Sequence, residues 1–237
     1  MSVTREDLKV AGNPLWLSWP FYPPEVQTQL DLGSRYGATL LGLKHKVVPC
    51  EIYDYGASML RKVGFQEVIH GDAVLAVDEF IRQDRKFDVI TGFDFLEHVE
   101  KAKGEHLLDK IEAIAAIGVF WFIPEENDEI RARPAFIKYR EEAYAIHVPA
   151  DHVKYQSHRA DWVPSELEAH GYTTFFLPHF HMIGSGAFFA AKYKEPYNAV
   201  MLARFKEEPL LWWGRDFKQA KPGAKRLARM ISDPAKK

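Results

Sequence analysis

Residues 26–37 read Val26-Gln27-Thr28-Gln29-Leu30-Asp31-Leu32-Gly33-Ser34-Arg35-Tyr36-Gly37. A short apolar run ends in an acid, a glycine turn follows, and a second apolar stretch comes after it. The pattern predicts a first β-strand ending at Leu32, a tight turn, and the start of a helix. Gly33 and Gly37 have no Cβ to hold a ligand away from the backbone, and the helix N-terminus beyond the turn offers unpaired N–H groups. The spacing is D-x-G-x-x-x-G, not the G-x-G-x-x-G of dinucleotide-binding turns. An acid beside the turn repels a pyrophosphate and attracts a cation. The ligand it suits carries an amine or a sulfonium.

Working outward, four more strands are expected. His45 to Glu51 forms a second strand that ends in an acid 20 residues after Asp31. An acid at that spacing, at a strand tip, can accept both hydroxyls of a ribose. Val68 to Ala73 is a third strand ending in Gly71-Asp72, where Asp72 could accept from an adenine amino group. Phe87 to Asp94 is a fourth, followed at once by Phe95-Leu96-Glu97-His98-Val99. Ile117 to Ile123, stopped by Pro124, is a fifth. Uninterrupted apolar strands suit a parallel sheet covered on both faces.

Taken together, LDLGSRYG, the acid in VVPCEIYD, HGDA and FDVITGFDFLEHVEK resemble the class I S-adenosylmethionine (SAM)-dependent methyltransferases. The segment GEHLLDKIEAIAAIGVFWFIPEE is similar to the helix and fifth strand of bacterial members, often linked to glycan or small-molecule pathways. The resemblance covers residues 26 to 194. It implies an α/β, Rossmann-like, doubly wound and mostly parallel sheet with an antiparallel last strand. It also implies SAM as cofactor and S-adenosylhomocysteine as product. The contacts it implies come from Asp31, Gly33, Ser34 and Gly37 in the first turn, and from Glu51 and Ile52 after the second strand. Gly71, Asp72 and Ala73 follow the third strand, and Phe93 and Asp94 the fourth. The family usually has D-x-G-x-G-x-G, and here Arg35 replaces the middle glycine.

The bulk properties agree with an enzyme of this kind. A chain of 237 residues can bury the core of one large α/β domain. A net charge of −2 creates no overall field for nucleic acid. One cysteine excludes an internal disulfide framework. No apolar run is long enough to span a bilayer, and the charged N-terminus lacks a signal core, so the cytoplasm is the expected compartment.

Helices are expected between the strands. Ala57 to Val63 is stopped by Gly64. Val74, Val77, Phe80 and Ile81 form an apolar stripe at helical spacing, as do Leu107, Leu108, Ile111, Ile114 and Ala115, the latter ended by Gly118. Pro164 to His170 opens with proline and ends at Gly171. Tyr172 to Pro178 and Gly186 to Tyr193 form a final pair of strands joined through His179 to Ser185. Residues 124 to 163, with four prolines at or next to the stretch, break the alternation. Loops beyond strand ends carry ligands in open α/β sheets, so the acceptor site is placed there. Residues 1–25, with Trp16, Trp19, Phe21 and Tyr22, form either a lid over that site or a strap packed on the sheet edge. Residues 195–237 form an extension.

Methyl transfer asks little of the protein, because the cofactor carries the activated group. The protein aligns the reactants, excludes water, and for a hydroxyl acceptor removes a proton. His98, just past the fourth strand, and His158, in Ser157-His158-Arg159-Ala160-Asp161-Trp162, are the candidate bases. Each could instead serve only packing or loop fixation. His179 and His181 form an H-x-H pair, but no third ligand stands at metal-site spacing, and no metal is assigned. Cys50 is expected to be a small buried residue and not a nucleophile.

The expected acceptor is a small molecule or glycan, methylated at oxygen. The alternative is a binding or assembly protein that kept the fold and lost transfer. A dehydrogenase is disfavoured by the first turn. The tail carries Trp212 and Trp213, then six basic residues against one acid from Lys221 to Lys237. Such a tail could touch an anionic membrane or stack on nucleic acid. The preferred reading packs its tryptophans on the domain or on a second copy in a homodimer.

Overall fold

Strand formation follows the apolar runs. In the computed structural model, residues 22–23, 25–35, 37, 40, 43, 45–124, 155, 157–182 and 185–203 are described. Seven strands form one sheet: β1 Thr28–Leu32, β2 Lys46–Glu51, β3 Ile69–His70, β4 Phe87–Phe93, β5 Ala115–Pro124, β6 Thr173–Met182 and β7 Ser185–Tyr193. Their order is β3-β2-β1-β4-β5-β7-β6. The β1–β2, β1–β4, β2–β3 and β4–β5 pairs are parallel. β7 is antiparallel to both β5 and β6, between which it is inserted. This is the expected doubly wound sheet with an antiparallel last strand. Its order reverses between β1 and β4, and in open α/β sheets that switch point is where ligands bind.

Among the described residues the helices include α1 Asp54–Lys62, α2 Ala73–Arg82, α3 Lys101–Lys110 and α4 Pro164–Ala169, with 3-10 turns at Leu96–His98 and Ile111–Ile114, and residues 198–203 are also helical. On one face of the sheet, Val74, Val77 and Phe80 of α2 and Leu107 and Leu108 of α3 join Leu30, Ile90, Val119 and Trp121 in a single core. Trp162 and Leu167 close the same layer. The other face carries Val89, Phe93, Phe120, Phe122, Phe189 and Tyr193, with Met201 buried among them and Tyr22 and Leu43 packed against them. The Tyr22 ring lies 5.2 Å from that of Phe120. Tyr22 therefore packs on a sheet face. Residues 1–21 and 24 of the N-terminal segment, residues 125–154 and 156 of the acceptor loops, and the tail from 204 onward lie outside the described residues. Before that, Tyr197, Met201 and Leu202 of the extension pack on the sheet.

Several boundaries differ from expectation. β3 spans two residues, and Asp72 instead caps α2, its carboxylate accepting from the Val74 N–H at 2.8 Å. β3 pairs only with Cys50 and Glu51. Pro49 stands just before that pairing, where β2 is an edge strand and a missing N–H is tolerated. The helix expected to end at Gly118 stops at Lys110, and β5 begins at Ala115. The apolar stripe misled because a 3-10 turn and a buried strand continue it without a polar break. Gly118 lies inside β5, where a Cβ would come within 2.9 Å of the Lys192 carbonyl oxygen on β7. β6 runs to Met182, so the hairpin connection is two residues, not seven. Among the described residues of 33–43 there are turns and no helix; the other residues of the expected first helix fall outside the description. No helix of the described residues is long and apolar enough to cross a membrane.

Candidate functional site

The carboxyl ends of β1 to β4 surround a cavity of about 510 Å³. Its wall contains Gly33, Ser34, Glu51, Ile52, Gly71, Asp72, Ala73, Phe93, Asp94 and His98. Ten of the residues singled out in the sequence thus meet at one place, though they span positions 33 to 98. Cys50, Phe95, Val99, Lys103, Tyr155 and Arg159 complete much of the rest.

The first turn is built around Glu51. Its Oε2 accepts from the Arg35 N–H at 2.6 Å, and its Oε1 from the Tyr53 N–H at 2.8 Å. The Gly33 and Ser34 N–H groups both donate to the Cys50 carbonyl. Gly33 has φ +72, and a Cβ there would lie 2.5 Å from the Phe95 ring. Arg35 itself adopts φ 50. The left-handed conformation that a middle glycine would supply is therefore present with arginine, held by the hydrogen bond to Glu51. Burial pushes the Glu51 carboxyl above the usual carboxylate range, against the pull of its backbone donors and of Arg35.

Asp31 lies behind the wall, not on it. It is 3% exposed. Thr91 Oγ1 donates to its Oδ1 at 2.5 Å, and Ser34 Oγ to its Oδ2 at 2.7 Å. The chain of hydrogen bonds continues inward: Gln29 Nε2 donates to Thr91 Oγ1 at 2.8 Å, and Gln29 Oε1 pairs with His45 Nε2 at 2.7 Å. Burial raises the Asp31 carboxyl to about 6, opposed by the Thr91 and Ser34 bonds and aided by the charge of Glu51. Asp31 thus reaches the cavity through Ser34. Gly37 is also off the wall, where a Cβ would press on Leu60 and Phe65 at 2.8 Å.

Cys50 borders the cavity, but burial pushes its thiol up to about 12, with the charges of Glu51, Asp72 and Asp31 adding to the shift. A thiol that holds its proton at neutral pH is not a nucleophile. Ile52 is 41% exposed at the rim and gives the cavity an apolar flank.

His98 and His158, 60 positions apart in sequence, have ring centroids 4.7 Å apart in an edge-on arrangement. The contact is set by backbone. Arg159 and Ala160 N–H groups both donate to the Glu97 carbonyl, at 2.7 and 3.2 Å. Trp162 Nε1 donates to the Leu96 carbonyl at 3.1 Å, and Lys101 Nζ to that of Asp161 at 2.9 Å. His98 faces the cavity; His158 stands behind it. Sequence reasoning passed over Glu97, whose side chain is only 2% exposed and lies 3.8 Å from His98 Nε2. A charged residue between apolar Leu96 and His98 on a buried turn was the signal available. The side chains of His179 and His181 lie outside the described residues.

Comparison with known proteins bears on the fold. No protein-family model matches the chain, and no curated protein matches its sequence. Among solved structures, a SAM-dependent methyltransferase from Archaeoglobus fulgidus superposes with a TM-score of 0.51 at 14% identity, over 81% of this chain and 95% of that one. An O-methyltransferase family protein from Burkholderia thailandensis gives 0.48 at 13% identity, over 81% of this chain and 60% of that one. This chain therefore spans less than two thirds of the Burkholderia protein. Magnesium protoporphyrin IX methyltransferase from Synechocystis, with bound S-adenosylhomocysteine, gives 0.48 at 12% identity, over 79% and 84%. The chain has the Rossmann-like fold of the Archaeoglobus methyltransferase.

Proposed function

We propose that the chain is a SAM-dependent methyltransferase acting on a small-molecule or glycan acceptor, at oxygen. The observation that carries this is the placement of Glu51: a buried carboxylate at the tip of β2, on the cavity wall at the sheet's switch point. Its oxygens accept backbone N–H groups of Arg35, Tyr53 and Ile52 and keep acceptor capacity for the hydroxyls of a ribose. Ile52 and Ala73 supply apolar surface for a base, and Asp72 presents the carboxylate oxygen not used in capping α2, which lies 3.7 Å from Lys103 Nζ. Ser34, backed by Asp31, faces the same space. These residues fit an adenosyl group with a cationic end, and Arg35, Lys103 and Arg159 stand on the same wall.

Bound SAM supplies a methyl group already activated by its sulfonium. The chain's own tasks are then positional. Glu51 and the Gly33–Arg35 turn hold the nucleoside, Phe93 and Phe95 exclude water, and the His98–His158 pair takes the acceptor's proton. The alternative, a fold that binds without transfer, has two motives, Arg35 and the lack of an obvious base. The left-handed Arg35 leaves the turn's shape intact and weakens the first of them.

Calorimetric titration with SAM, S-adenosylhomocysteine and NAD tests the donor assignment. Both sulfur nucleosides should bind and NAD should not. Glu51→Ala removes two charge-assisted acceptor sites and should weaken SAM binding by about 100-fold or more. Unchanged binding would refute the placement of the ribose site.

A further inference from the structure

Glu97, His98 and His158 each offer a ligand atom within 4.8 Å of the other two. We propose that these three side chains form a divalent-cation site at the acceptor end of the cavity. Two imidazole nitrogens and one carboxylate oxygen are a donor set for a first-row ion such as Zn²⁺ or Mn²⁺, not for Mg²⁺ or Ca²⁺, which take oxygen ligands.

The tautomer of His98 supports the assignment. Its Nδ1 lies 3.4 Å from the Ser157 carbonyl oxygen, which can only accept. In the neutral ring Nδ1 therefore carries the hydrogen, and Nε2 holds a lone pair. That lone pair is on the nitrogen 3.8 Å from Glu97 Oε1. A cation bound there takes both atoms as ligands. A backbone carbonyl on the far nitrogen is also the usual second partner of a metal-bound imidazole.

The frame is pre-built. The Glu97 carbonyl receives both the Arg159 and Ala160 N–H groups, so the segment bearing His158 is stapled to the residue bearing the carboxylate. An ion about 2.0–2.2 Å from each ligand needs ligand atoms about 3–3.5 Å apart. Side-chain rotation closes the remaining ångström without moving this frame.

His98 lines the cavity, so open coordination positions would face the acceptor. The site rests on the methyltransferase reading only for its use, and with the ion bound the two imidazoles are ligands in place of the base described above: an acceptor hydroxyl on the ion loses its proton to solvent water. Its oxygen then bonds to the methyl carbon, and the S–CH₃ bond breaks with its electrons left on sulfur.

The test is direct metal binding by the full-length chain. Protein stripped with chelator is dialysed against Zn²⁺, Mn²⁺ or Mg²⁺, and bound metal is measured. One equivalent of Zn²⁺ or Mn²⁺ is expected, with Mg²⁺ at least tenfold weaker. His158→Ala and Glu97→Gln should each weaken binding about tenfold or more, while His106→Ala, on the far side of α3, should not. Mn²⁺ should also broaden the ring NMR signals of His98 and His158 in the unaltered chain, which bypasses any folding defect of the variants. Absence of saturable binding, binding undiminished in His158→Ala, or broadening confined to other histidines would overturn the site. SAM titration of the stripped protein separates the two ideas. SAM binding by protein that takes up no metal when metal is offered sinks the cation site and leaves the donor reading. Metal bound with no SAM binding does the reverse.

Discussion

Asp31→Asn should abolish a specific pH dependence of stability. Burial, the largest cause, raises the Asp31 carboxyl from its ordinary 3.8 to about 6. Below about pH 4 both folded and unfolded chains hold the proton. Above that, the unfolded chain releases it while the folded chain keeps it up to about pH 6, so folding loses stability as pH rises through this window and levels off beyond it. The shift corresponds to on the order of 3 kcal/mol, roughly half of it lost by pH 5 and nearly all of it by pH 7. Asparagine is accommodated. Its oxygen can accept from Thr91, and its amide can donate to Ser34 Oγ, whose hydrogen then turns to the Asp31 backbone carbonyl at 2.9 Å. Urea unfolding of both proteins between pH 4.5 and 7.5 measures the difference. Subtracting the variant cancels other acids, including Glu67, whose carboxyl is held low by Arg85. The unaltered chain should lose stability relative to Asp31→Asn as pH rises. Parallel curves would refute the buried, proton-holding Asp31, and with it the idea that this acid waits behind Ser34 for a cationic ligand.

Three further substitutions probe the same frame. Thr91→Val deletes the donor to Asp31 and should move that pH window upward, costing about 1–3 kcal/mol at neutral pH; the same urea series reads both. Gly33→Ala adds a Cβ 2.5 Å from Phe95 at φ +72, so about 2 kcal/mol or more of stability should go, and SAM binding with it; a thermal shift near zero would contradict the turn. Trp162→Ala removes the bond to Leu96 and a ring that packs under Lys101 at 3.5 Å. It should cost about 3–5 kcal/mol and release the His158 segment, seen as faster amide exchange at Arg159 and Ala160.

The sheet was legible because its code is local. Leu30, Val48, Ile90 and Val119 sit in uninterrupted apolar runs, and only a strand covered on both faces tolerates such runs. The strand-tip side of the cavity was legible for a related reason. Its residues follow strand tips at fixed spacing, and a parallel sheet lines all tips on one edge. Boundaries failed where one kind of burial passed into another without a polar break, as from α3 through Ile111–Ile114 into β5. The His98–His158 contact and the role of Glu97 were not legible. They depend on a loop folding back 60 residues to bond Glu97, and no spacing rule encodes that. Asp31 shows a subtler limit: sequence marked it as important, but only burial reveals that it acts through Ser34.

The replacement of a glycine by Arg35 illustrates how the site couples its parts. A non-glycine residue in the left-handed region costs about 1–2 kcal/mol, and the Arg35 N–H bond to Glu51 is available to offset it. Glu51 therefore has two jobs, holding the turn and facing the cavity. The two can be separated. Glu51→Gln keeps one carbonyl oxygen for the turn but loses the charge and one acceptor toward a ligand, whereas Arg35→Gly relieves the backbone and leaves the carboxylate in place. If Glu51 serves the turn alone, Arg35→Gly in the Glu51→Gln background should restore ligand affinity. If it also holds the ligand, the double variant should regain stability and remain weak in binding. The second outcome follows from a carboxylate that lines the cavity while still bonded to Arg35.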